Sequence, residues 1–165
     1  MKKYEFTGET KQVELLFRTA TLHRIKAVAE FGVVKIGDIG GWIEKEENLS
    51  HEGNAWVCGN AEVYGDAEVW GNAKVCGNAE VWGNAKVFSI SHVLVIGPIG
   101  SRNDFTTFFR DKDSEITVKC GCFLGKIDKF LEKVCETHGD SQYAIVYRTA
   151  VEIAKQQIDL SEEKQ

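Results

Sequence analysis

The stretch "GNAEVYGDAEVWGNAKVCGNAEVWGNAKV", residues 59–87, repeats a six-residue unit without interruption. Valine recurs at Val57, Val63, Val69, Val75, Val81 and Val87, with alanine two places earlier at Ala55, Ala61, Ala67, Ala73, Ala79 and Ala85. Gly-Asn or Gly-Asp stands before every one of those alanines. A β-branched residue, a small residue and a turn-forming pair in each period predict short strands alternating with corners. Alanine and valine are two apart, so both point to one face of an extended segment, and that face has to be the interior.

The pattern resembles the hexapeptide-repeat family, whose left-handed parallel β-helix has three hexads per coil. The resemblance implies that side chains eighteen residues apart stack in columns. Cys58 then falls over Cys76, Tyr64 over Trp82 and Trp70 over Phe88, while Glu62 meets Glu80 and Glu68 meets Lys86. The outward aromatic residues Tyr64, Trp70, Trp82 and Phe88 are expected to tile a homo-oligomer interface, a trimer or a dimer, because exposed apolar patches mark contacts. A stacking platform for a base or sugar is the competing reading. Five cysteines, Cys58, Cys76, Cys120, Cys122 and Cys135, form no CxxC and are odd in number, which predicts reduced thiols in a reducing compartment.

The repeat divides the chain into three expected parts. Residues 1–52 form an N-terminal β cap, in which "VVKIGDIGGWIE" reads as strand-turn-strand with Gly37, Gly40 and Gly41 as corners of positive φ. Residues 53–92 hold the hexads. Residues 93–165 form a small α+β domain of three strands and two helices: a buried strand from Val93, a hairpin turning at "DKDS", and two helices. Ile127, Phe130, Leu131, Val134 and Cys135 follow a helical stripe that Gly139 ends. The second helix starts near Asp140 or Ser141 and runs to about Ile158. The fold expected is therefore mainly β, a short left-handed parallel β-helix with an N-terminal cap and this C-terminal domain.

"LHRIKAVAEFGVVKIGDIGGWIEKEENLSHEGNAWV", "GPIGSRNDFTTFF", "CGCFLGKIDKFLE" and "THGDSQYAIVYRTAVEIA" are similar to modules of bacteriophage and prophage proteins that fuse a repeat of variable length to such a domain. That resemblance implies a phage context and carries no activity with it.

A net charge of −5 excludes a non-specific nucleic-acid binder, whose affinity needs clustered Lys and Arg. No apolar run is long enough to span a bilayer, and no apolar segment follows "MKK", so a cytoplasmic protein, in the host if phage-encoded, is expected. Three chemistries compete. Hexapeptide proteins are often acyltransferases with a histidine base, and His51 and His92 flank the repeat while His23 and His138 lie farther off. Cys120, Cys122, Cys135 and His138 contain ligand types suited to zinc, but their spacing equally describes a core. The loop "GPIGSRND" offers Ser101, Arg102 and Asn103, with Thr106 beyond and Lys126 in the second glycine corner "CGCFLGK", as a set of anion donors. The reading adopted is a non-catalytic oligomeric phage accessory protein that sequesters a small anionic nucleotide-like signal of host defence. It needs no metal or cofactor. A protein-protein inhibitor or scaffold acting on a host protein, and a hexapeptide acyltransferase, are the alternatives.

Overall fold

A computed structural model describes residues 1–161. Every hexad contributes a strand of two residues: β4 is Trp56–Val57, β5 Glu62–Val63, β6 Glu68–Val69, β7 Lys74–Val75, β8 Glu80–Val81 and β9 Lys86–Val87. Each of the first three pairs in parallel with the strand eighteen residues later, aligning Val57 with Val75, Val63 with Val81 and Val69 with Val87. The amides of Cys58 and Glu62 donate to the carbonyls of Val75 and Ala79, both at 2.9 Å, so the backbone is satisfied by the neighbouring turn. All six alanines and all six valines are buried and form one core. Glycine is required at the corners: Gly65 has φ +68°, and a Cβ there would lie 2.6 Å from Cδ1 of Trp82.

The expected left-handed parallel β-helix is corrected by the strand order. The chain is mainly β, but it is divided among several small sheets with two helices, and none of the sheets closes. β4 pairs with β7, and β6 with β9, as separate two-stranded sheets. β5 and β8 instead extend a mixed five-stranded sheet in the order β1-β2-β3-β5-β8, where β1 is Tyr4–Glu14, β2 Thr19–Ala27 and β3 Ile39–Ile43. The physical reason is length: six hexads place two short strands on each face, and one face is then taken over by an antiparallel hairpin of far greater extent.

That hairpin covers the repeat. Ala20 and Leu22 of β2 bury Tyr64 completely. Gly37 has φ +93°, but Gly40 and Gly41 are ordinary strand residues, contrary to expectation. They are glycine because a Cβ would meet Trp56 at 2.7 Å in one case and the Ala61 carbonyl at 2.7 Å in the other. Asn48 finishes the junction, its buried amide donating to the carbonyls of Gly65 and Ala67 at 3.1 and 2.9 Å. Cys58 and Cys76 are joined by a disulfide, with Cα atoms 4.6 Å apart, which corrects the expectation of reduced thiols for this pair. Parallel stacking at eighteen residues brings the two sulfurs together.

The C-terminal part has four strands where three were expected: β10 Val93–Ile99, β11 Asp104–Arg110, β12 Ile116–Cys120 and β13 Phe123–Lys126, in sequential antiparallel order. "CGCFLGK" turns tightly at Gly121 into β13 before α1, Ile127–His138, begins. α2 is Gln142–Gln157. The sheet has two working faces. Phe109 enters the core of the hexads, while its neighbour Phe108 joins Val118, Phe130 and Val151 beneath the helices. Alternation along one strand thus ties the two regions together. Backbone and side-chain bonds reinforce the seam: Glu80 N donates to Thr107 Oγ1 at 3.0 Å, Lys112 N donates to the Asn84 carbonyl at 2.9 Å, and Lys119 pairs with Glu80 at 3.2 Å. Lys11 of β1 pairs with Glu62, so the like-charged Glu62–Glu80 step is neutralised from both sides.

Candidate functional site

A cleft of about 210 Å³ opens where the turn after β10, the end of β12 and the two helices meet. Its lining is mainly apolar, with Phe123, Phe130 and Val134 among the walls. Polar groups converge on it from four elements: Ser101 and Arg102 from the turn, Cys120 from β12, Tyr147 from α2, and Lys133 and His138 from α1. An apolar cavity with a few convergent polar groups is what a small-molecule site requires.

Local folding explains each placement. The turn reverses at Gly100, φ +77°, and Asn103, φ +47°, which turns Arg102 toward the cleft. Gly100 is glycine for a second reason: a Cβ there would lie 1.9 Å from the Tyr147 hydroxyl. Tyr147 is 8 % exposed, packed edge-on against Phe130 with ring centroids 5.7 Å apart. The His138 imidazole stacks over its ring at 5.7 Å and 26°. Cys120 accepts a hydrogen bond from the buried Thr106 hydroxyl at 3.4 Å, and its thiol lies 3.9 Å from the Tyr147 hydroxyl. Burial, followed by the nearby Cys120 and Asp104, raises the Tyr147 pKa well above the ordinary phenol value, with Arg102 opposing. The phenol is a proton-bearing donor at neutral pH.

The five residues expected to form an anion site do not share one place. Ser101 and Arg102 line the cleft. Asn103 serves the turn, and Thr106 is spent on Cys120. Lys126 lies elsewhere, paired with Asp111 at 2.6 Å, Asp113 at 3.2 Å and Glu115 at 3.1 Å. Asp111 is itself buried. Burial alone would raise its pKa, but hydrogen bonds from Lys126, Thr117 and the amides of Glu115 and Asp113 hold it below the usual carboxylate range. That group fixes the β11–β12 turn.

The aromatic columns stack, Tyr64 on Trp82 at 5.5 Å and Trp70 on Phe88 at 4.9 Å. Tyr64 is covered by the chain's own hairpin, Trp70, Trp82 and Phe88 are half-buried, and the Arg110 guanidinium sits 4.8 Å over Phe88. The histidines beside the repeat are occupied. His51 stacks on Tyr4 at 4.2 Å and accepts from Lys3 N at 3.2 Å, and buried His92 accepts from Phe88 N at 3.2 Å. Desolvation lowers the pKa of both, aided at His92 by Arg110. His23 stacks on Phe6 at 4.6 Å. His138 alone of the four lines the cleft. Among the described residues, no three His, Cys, Asp or Glu side chains gather as a metal set. No described helix is long and apolar enough to cross a membrane.

His138 reads in the sequence as a candidate zinc ligand beside Cys120, Cys122 and Cys135, and Tyr147 escaped sequence reasoning as a site because it lies on the buried stripe of α2. The signal was a tyrosine inside an apolar stripe, since a buried phenol needs a partner for its hydroxyl.

No family model matches the chain. A stretch of 61 residues, 34% of the chain, is 34% identical to the "uncharacterized acetyltransferase YdcK" of Escherichia coli and covers 19% of that protein. The chain thus spans about a fifth of the relative it matches. The match agrees with the hexapeptide-repeat resemblance and shows neither a phage origin nor the C-terminal module. It overturns the expectation of a non-catalytic phage protein that sequesters a nucleotide-like signal, because the protein it resembles is described as an enzyme that transfers acetyl groups.

Proposed function

We propose that this protein is an acetyltransferase and that the cleft between β12, α1 and α2 is where the acyl group moves. The similarity to a protein named as an uncharacterized acetyltransferase carries the reading, and the chemistry of the cleft supports it. Acyl transfer from a thioester needs three things: a donor to the carbonyl oxygen as it becomes an oxyanion, a base for the acceptor's proton, and shelter from water. Tyr147 holds a protonated hydroxyl in the cleft, His138 an imidazole, and Phe123, Phe130 and Val134 an apolar wall. Arg102 and Lys133 at the same opening favour a donor with an anionic tail.

In this reading the acceptor's N–H or O–H passes its proton to His138 as its heteroatom attacks the thioester carbonyl. The oxyanion accepts from the Tyr147 hydroxyl. Collapse then expels the donor's thiolate, which takes the proton. The test is thiol release from acetyl-CoA in the presence of a panel of amines, sugars and peptides. Turnover is expected with at least one acceptor class, reduced ~10²-fold or more in His138→Asn, a general-base loss. Turnover that is unchanged in His138→Asn and Tyr147→Phe alike would place the chemistry elsewhere.

A further inference from the structure

Among the groups of the cleft that this direct transfer does not use are two thiols, Cys122 at its exposed rim and Cys120. Of the thiols, Cys58 and Cys76 are joined to each other, and Cys122 and Cys135 are exposed. Cys120 is half-buried at the cleft floor between two hydroxyls, Thr106 at 3.4 Å and Tyr147 at 3.9 Å. The geometry makes these two neighbours unlike. Thr106 is buried and gives its proton to Cys120, which holds the sulfur in place. Tyr147 is the sulfur's second partner at 3.9 Å and is itself almost wholly buried, so its hydroxyl stands beside any acyl group that the sulfur carries. Gly100, trimmed of any Cβ, is what lets that hydroxyl reach its position.

We propose that Cys120 accepts the acetyl group from the donor thioester and carries it as an acyl-cysteine before the acceptor takes it. This rests on the acetyltransferase reading and replaces its single step by two. In the first, Cys120 Sγ attacks the thioester carbonyl, the oxyanion takes a hydrogen bond from the Tyr147 hydroxyl, and the donor's carbon–sulfur bond breaks. The thiol proton ends on the departing sulfur. One thioester is exchanged for another, so the bonds made and broken are of the same kind and no oxidant or reductant takes part. In the second step, the acceptor's nitrogen or oxygen attacks the acyl-cysteine, and its proton ends on Cys120 Sγ. Splitting one transfer into two in this way is the usual role of a thiol nucleophile. Tyr147 acts in both halves.

The experiment incubates the full chain with acetyl-CoA and no acceptor, quenches it in acid, and locates any added acetyl group by peptide mass spectrometry. Hydroxylamine then distinguishes a labile thioester from stable lysine acetylation. One hydroxylamine-labile acetyl group on Cys120 is expected, retained in Cys122→Ser and Cys135→Ser and absent in Cys120→Ser. Tyr147→Phe should slow its appearance about 10²-fold, the loss of one oxyanion donor. Because the wild-type adduct is itself the readout, the test does not depend on any variant folding. Turnover with an acceptor but no Cys120 adduct overturns the acyl-cysteine and leaves the acetyltransferase reading standing. Neither turnover nor adduct overturns both.

Discussion

The hexads and the sheet that follows them handle polar groups in opposite ways. In the hexads, each strand hydrogen bonds to an equivalent strand eighteen residues on, the alanines and valines close the core, and outward charges pair off, as Glu68 does with Lys86. In the C-terminal region the elements differ from one another, and their junction leaves a cavity that brings together a phenol, a thiol, an imidazole and a guanidinium. Repetition pairs its backbone with itself, and unlike side chains gather where repetition stops.

The two regions meet at Phe109, which makes it the place to break the comparison hardest. Phe109→Ala removes a fully buried ring from the hexad core and should cost about 3–5 kcal/mol, read as one lowered denaturation midpoint. Two separate transitions instead would mean that the regions fold independently. Gly100→Ala should act on one side only. The new methyl collides with Tyr147 and strains a residue at φ +77°, at a cost of about 1–3 kcal/mol, with loss of turnover and no change in the hexads. A Gly100→Ala variant with full turnover would free the phenol of its assigned position.

Acid should separate the regions more gently. Burial keeps His51 and His92 below the ordinary imidazole pKa, so as pH falls below about 6.5 the unfolded chain takes up those protons first. The stability they contribute is complete above that pH and is lost as pH drops through their lowered folded values. Asp111 repeats the pattern lower, its contribution disappearing below the usual carboxylate range. Denaturant melts between pH 7 and 4 should show the decline in wild type, and a His51→Gln, His92→Gln double variant should flatten its upper part. The smallest effect is at Tyr64, whose buried hydroxyl has no hydrogen-bond partner among the described residues. Tyr64→Phe should be neutral or stabilising by up to about 1 kcal/mol, since it removes a desolvated group and keeps the stack on Trp82.

How much of this was legible depends on range. The eighteen-residue spacing that pairs Val57 with Val75 is written in the letters, and so is the stripe from Ile127 to Val134 that forms α1. The closure of the hexads into a left-handed coil was not there to be read, because two-residue strands join whichever sheet lies beside them. β1 carried no signal: of its eleven residues only Tyr4 is buried, and the rest lie on a largely exposed strand. Gly40 and Gly41 look like turn residues, yet their cause is a close approach by residues 56–61 that no local pattern reveals. The cleft was hidden for the same reason. Ser101 and Arg102 were legible as anion donors in a glycine loop and Cys120 as a candidate zinc thiol, but only the packing of α1 and α2 on the sheet makes them neighbours of Tyr147.

Backbone amide shifts recorded while acetyl-CoA is titrated into the full chain test the division of labour most directly. Perturbations are expected at residues 100–105, 119–123 and 133–147, with residues 55–88 unmoved. Shifts concentrated in the hexads, with the cleft silent, would contradict the assignment of the chemistry to the region beyond the repeat.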